Sequence, residues 1–195
     1  MKKRIVFEVT VGLLMPVSAL YTYISEAQYL YELTFISNIV GAGLLLFDVV
    51  YVHIKQKWLP SVLFLIETVT ISIVFLISVG CTAFGFAHFN FNGGMFFLHI
   101  INPVLFIGFY LVVERQRNFN LIEIVLSPIL VMGYLLFDYV RFLFVGSFVY
   151  GLFPTEKMSL LNALVIGGIA YILIGICGLV IYLGGRLVKN ISKDN

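Results

Sequence analysis

Charged side chains are scarce in this sequence: 11% of its 195 residues are Asp, Glu, Lys or Arg, while 61% are hydrophobic. With a mean hydropathy of +1.06, a water-soluble domain is excluded. Polar stretches long enough for an extramembrane domain are missing too. The two cysteines, Cys81 and Cys177, fall in separate apolar runs and match no metal-ligand spacing. There is no phosphate-binding loop, dinucleotide fingerprint or nucleic-acid signature. The polar alternation that a membrane β-barrel needs is also lacking. A bundle of membrane helices is what these absences leave.

Six apolar runs are long enough to span a bilayer: residues 5–24, 30–53, 59–84, 95–113, 121–144 and 160–188. Helices are expected for all six, because backbone facing lipid must satisfy its own hydrogen bonds. The fold class is therefore all-α, a polytopic six-helix bundle forming one domain over 1–195. Lys2-Lys3-Arg4 followed by an apolar run imitates a signal peptide, but Glu8 interrupts that run and no clean small-x-small site follows. It reads as a retained first span.

The basic residues predict the orientation. Ten of the twelve Lys and Arg residues lie at alternate span ends: Lys2, Lys3, Arg4, Lys55, Lys57, Arg115, Arg117, Arg186, Lys189 and Lys193. An even number of spans puts those ends on one side. By the positive-inside rule both termini are then cytoplasmic, in a multi-pass cell-membrane protein of bacterial type. The outer connections would be 25–29, 85–94 and 145–159.

The polar groups inside the spans carry the functional question. His99 sits in Phe97-Leu98-His99-Ile100-Ile101-Asn102-Pro103, and an ionisable group at membrane depth is a candidate site by default. Thr34 and Asn38, four apart, share a face near the outer start of span two, with Thr34 roughly 5–8 Å below its outer end. Tyr134, Asp138 and Arg141 form one face in the outer half of span five. Three helices thus bring seven polar residues to similar depth.

Their chemistry is coherent. A threonine hydroxyl becomes a nucleophile when a base such as histidine takes its proton. Asp138 could orient the imidazole, and Asn38, Asn102 or Tyr134 could donate to a developing oxyanion. Arg141 suits a substrate carboxylate. The plainer readings are a Thr34 hydroxyl bonded back to its own helix, an Asp138–Arg141 ion pair and an interhelical His99.

Deeper in the bundle, Glu8, Asp48, His53, Glu67 and Glu123 read as partners of Lys55, Lys57, Arg115 or Arg117, or as a proton path. His88 fits no metal motif with His99 and Asp138. In span six, Gly168, Tyr171, Gly175, Gly178, Tyr182 and Gly185 repeat at helical spacing, which makes a packing seam; Gly168, Gly175, Gly178 and Gly185 offer a face for a second copy of the chain.

Leu33-Thr34-Phe35-Ile36-Ser37-Asn38 and Leu98-His99-Ile100-Ile101-Asn102-Pro103 together carry a resemblance. With the stretch from Tyr134 to Arg141 and the aromatic loop 149–154, the chain resembles the androgen-induced family of integral membrane proteins and its short bacterial six-span relatives. The resemblance implies a threonine hydrolase of lipid esters, with Thr34 as nucleophile and His99 as the essential histidine. In animal members the substrates are fatty acid esters of hydroxy fatty acids. The loop here reads Tyr150-Gly151-Leu152-Phe153-Pro154, without the relatives' Tyr-Pro run.

The expectation is thus an intramembrane hydrolase: catalytic Thr34, His99 and Asp138, substrate-binding Asn38, Asn102, Tyr134 and Arg141, and no metal or organic cofactor. Its partners are membrane lipids or a lipid-like ester, not nucleic acid. The alternatives are a transporter or lipid-binding protein using the same pocket, and a scaffold packing through the glycine seam.

Overall fold

The computed structural model describes residues 1–24, 29–85, 91–113, 120–150 and 158–191, the last with side chains to 188. Six helices in it are long and apolar enough to cross a membrane. They are α1 (Lys2–Tyr23), α2 (Leu33–Lys55), α3 (Ser61–Ala83), α4 (Gly94–Val112), α5 (Leu121–Val145) and α6 (Leu160–Ile191). The fold is the expected all-α membrane bundle. His88, Arg115, Arg117 and Pro154 lie outside the described residues, as do parts of the connections 25–29, 85–94 and 145–159.

Helix α3 is the hub, packing on α2, α4, α5 and α6, while α1 lies along α2 and touches α4. Lipid tails are as apolar as leucine, so close packing rather than escape from water holds such helices together. Phe64, Leu65, Val69, Phe106 and Phe109 fill the centre. Helix α6 is the least enclosed, showing most of its surface to lipid.

The glycine seam is used within the chain. A Cβ on Gly178 would collide with the Ser127 side chain of α5, and Gly175 lies against Pro128. The Tyr171 hydroxyl donates to the Val125 carbonyl, and the Tyr182 hydroxyl accepts from the Asn120 N–H. Gly168 opens onto space. The seam therefore seats α6 on the break in α5 at Ser127–Pro128, where two helical pieces, Leu121–Leu126 and Ile129–Val145, meet.

The end that carries both termini is clamped by Arg4. Its Nε donates to Glu8 Oε1 at 2.8 Å and its Nη2 to Asp48 Oδ2 at 2.6 Å, while its guanidinium lies 3.6 Å over the Trp58 ring. Asp48 Oδ1 accepts the Leu59 N–H, closing the α2–α3 turn. The expected partners of these carboxylates were Lys55, Lys57, Arg115 and Arg117. Arg4 reaches them because it lies on the inward face of α1, one turn before Glu8. Glu67 stands apart, buried in α3 with no hydrogen-bond partner on either oxygen. Among the described residues the inner carboxylates make no continuous path.

Candidate functional site

Helix α2 starts at Leu33, three residues later than the apolar run implies, because Glu32 is extended (φ −67°, ψ 142°). Thr34 therefore lies in the first turn, where backbone N–H groups have no partner inside the helix. The Tyr150 hydroxyl takes the Thr34 N–H at 3.3 Å, and the Thr34 side chain lies against the same phenol. Residues 29–32 before it form a separate tight turn, closed by the Glu32 N–H on the Tyr29 carbonyl, and not an earlier turn of α2. The Thr34 carbonyl accepts from Ser37 Oγ and, at 2.7 Å, from Asn38 Nδ2.

Tyr150 reaches this position through a reversal of the chain. Helix α5 ends at Gly146 in the left-handed conformation (φ 77°), which a residue with a Cβ adopts reluctantly. Residues 147–150 then run back along α5 as a strap. Arg141 Nη1 donates to the Ser147 carbonyl, Val149 N–H donates to Asp138 Oδ1 at 2.9 Å, and Phe148 stacks on Phe142 at 4.4 Å. Burial pushes the Tyr150 phenol above its usual range, so it stays a neutral hydroxyl at physiological pH.

In α4 the Pro103 ring has no N–H and crowds the carbonyl one turn back. The helix answers with a π turn over Phe97–Ile101, closed by a bond from the Asn102 N–H to the Phe97 carbonyl. Such turns admit one extra residue and recur at functional sites. Both polar residues of the segment are turned inward, with His99 4% and Asn102 0% exposed.

Asn102 knits three helices. Its Nδ2 donates to Asn38 Oδ1 at 2.6 Å and to Ser18 Oγ of α1 at 2.9 Å. Both amide hydrogens are thereby used, which removes Asn102 from the candidate oxyanion donors. His99 Nδ1 meets Ser78 Oγ of α3 at 2.7 Å, and its ring stands edge-on to Phe91. Ser78, not Asp138, thus faces that ring nitrogen. Asp138 is turned to the strap, where it holds the Val149 N–H. Among the described residues no hydrogen bond joins Thr34 to His99.

The other named residues gather on the far side of Thr34. Tyr134 and Asp138 of α5, with Leu33, Ile77, Phe148 and Tyr150, line a cavity of about 100 Å3. Tyr134 is buried beside Tyr150, their ring centroids 6.4 Å apart. Arg141 lies outside it, its guanidinium 4.7 Å from the Tyr31 ring and donating to the Tyr31 hydroxyl at 3.4 Å. Asn38 therefore joins Asn102 on one side, where His99 meets Ser78, and Thr34 lies with Tyr150 beside Tyr134 and Asp138 on the other.

The sequence reading did not single out Ser18, Ser78 or Tyr150 as site residues. Lone serines in apolar runs carry no motif. Both, however, sit about one turn from the ends of α1 and α3 nearest Thr34, so matching depths across spans would have found them. These features define the class: a six-helix, multi-pass membrane protein with a buried polar seam near one end. Comparison with protein-family models, curated proteins and solved structures gives no match to this chain.

Proposed function

We propose that this protein hydrolyses lipid esters within the membrane, with Thr34 as nucleophile and His99 as base. One observation carries the reading, the Asn38–Asn102 hydrogen bond. Helices α2 and α4 enter from the same end and run parallel. Thr34 is one turn before Asn38, and His99 three residues before Asn102. That register sets Thr34 and His99 about one turn outward from the joined pair on their helices, which supports reading them as partners.

The chemistry follows from those groups. The imidazole takes the Thr34 hydroxyl proton as the oxygen attacks the ester carbonyl. The tetrahedral intermediate collapses, the alcohol leaves with that proton, and an acyl-threonine forms. Water then attacks the acyl group, giving a proton to the imidazole; the carboxylic acid departs and Thr34 regains its hydrogen. An Nδ1–H donated to Ser78 would hold the ring in the tautomer whose other nitrogen accepts protons, the positioning role a carboxylate plays in triads.

The distribution of Lys and Arg supports both termini in the cytoplasm, and hence a site in the outer half of a plasma membrane. The test is hydrolysis of long-chain esters by purified protein, with fluorophosphonate labelling, in wild type, Thr34→Ala, Ser78→Ala and His99→Ala. Loss of label in Thr34→Ala supports the reading. A label that survives there and is lost in Ser78→Ala moves the nucleophile to Ser78, the reading favoured by the 2.7 Å Ser78–His99 contact.

A further inference from the structure

Tyr150 brings a second hydroxyl onto the proposed nucleophile. Its oxygen accepts the Thr34 N–H at 3.3 Å, and the Thr34 side chain lies against the same phenol. The Tyr134 hydroxyl of α5 bonds to that phenol too. A backbone N–H can only donate, so toward α2 the phenol oxygen is an acceptor. Burial keeps the phenol neutral, so it also carries a hydrogen to give. That hydrogen is held beside the Thr34 side chain.

The strap fixes every residue that leads to this phenol. Gly146 turns the chain in the left-handed conformation, and Arg141 holds the Ser147 carbonyl. Phe148 stacks on Phe142, and Asp138 accepts the Val149 N–H. A carboxylate only 4% exposed is thus committed to the residue next to Tyr150. Beside the phenol lies the cavity of about 100 Å3, which Tyr134, Asp138 and Phe148 also line. That equals about three water volumes, space for an ester head and not for its acyl chain.

Attack on an ester carbonyl places negative charge on its oxygen, and a donor fixed in advance lowers the barrier. Asn102 has both amide hydrogens engaged, and Asn38 directs its amide to the Thr34 carbonyl. We infer that Tyr150 is a further catalytic residue, its phenol donating a hydrogen bond to the ester carbonyl oxygen as Thr34 attacks. The inference rests on the hydrolase reading. The Thr34 hydrogen goes to the base, while the phenol keeps its own. Its bond to the oxygen strengthens as charge develops and relaxes when the intermediate collapses. Asp138, Arg141 and Gly146 are then positioning residues, acting through the strap.

The test is long-chain ester hydrolysis by the full chain in detergent, with wild type beside Tyr150→Phe. The variant should lower kcat by about 10²–10³-fold, the loss that follows removal of one such donor, with KM nearly unchanged. Fluorophosphonate labelling of Thr34 should slow with it, because the phosphonyl oxygen draws on the same donor. Fluorotyrosines at position 150 keep the ring and the hydroxyl, so they fold where Phe does not. These more acidic phenols are stronger donors, and 3-fluorotyrosine and 3,5-difluorotyrosine should hold kcat at or above the wild-type value. Packing alone would not follow phenol acidity. Wild-type kcat in Tyr150→Phe, a loss confined to KM, or fluorotyrosine chains as slow as the Phe variant overturns the inference and leaves the hydrolase standing. No turnover and no Thr34 label in wild type defeats the hydrolase reading and this role together.

Discussion

Asn102 holds Asn38 at 2.6 Å across the seam between α4 and α2, and that bond sets the registration of the helices carrying His99 and Thr34. Asn38→Ala would strand one Asn102 hydrogen and remove a donor from the Thr34 carbonyl. The expected cost is about 1–3 kcal/mol, read as a lower melting temperature in detergent. Asn102→Ala in the same background should add much less than it costs alone, since both act through one network. Fully additive losses would show that the amides do not act as a unit.

Ser78 supplies a separate test of the imidazole. Ser78→Ala should leave KM nearly unchanged and lower kcat by about tenfold or more, short of the ~10²–10⁴-fold that removing the base would cost. The acid limb of the pH–rate profile should move as well, because the ring loses the partner of its Nδ1. A change in KM alone would make Ser78 a packing residue.

Arg4 is the stability keystone of the opposite end. Its removal leaves Glu8 and Asp48, both with fully buried side chains, without their cation. Arg4→Ala should cost about 3–5 kcal/mol. Adding Glu8→Gln and Asp48→Asn should return much of that, because the uncompensated charge goes with them. A variant as stable as wild type would contradict the clamp.

Gly178 tests the seat of α6. Gly178→Ala drives a methyl into the Ser127 side chain, and overpacking of this kind costs about 1–3 kcal/mol. Ser127→Ala in the same chain should recover most of the loss, as measured by thermal unfolding in detergent. Unchanged stability in Gly178→Ala would mean that this face does not pack on α5.

The helices were readable because their signal is collective. Runs of about twenty apolar residues survive errors of two or three at each end, and all six appear close to where hydropathy puts them. Contacts were less readable, since each depends on a local event that apolar sequence does not announce. Pro103 marked a disturbed helix, but the π turn that directs His99 to Ser78 follows from how the strain is absorbed. Asp138 looked like the partner of His99 by depth; the left-handed Gly146 folds the strap back and gives that carboxylate a backbone N–H instead. Arg4 looked like a topology signal and is also the buried clamp of two carboxylates.

The most direct measurement is hydrolysis of a long-chain ester panel by wild type, Thr34→Ala and His99→Ala, with folding checked by melting temperature. The account predicts turnover and fluorophosphonate labelling of Thr34 in wild type, and loss of activity in both variants. Absence of turnover on every ester, or turnover unchanged in both variants, would contradict it and leave the seam and its cavity as a lipid-binding site without chemistry.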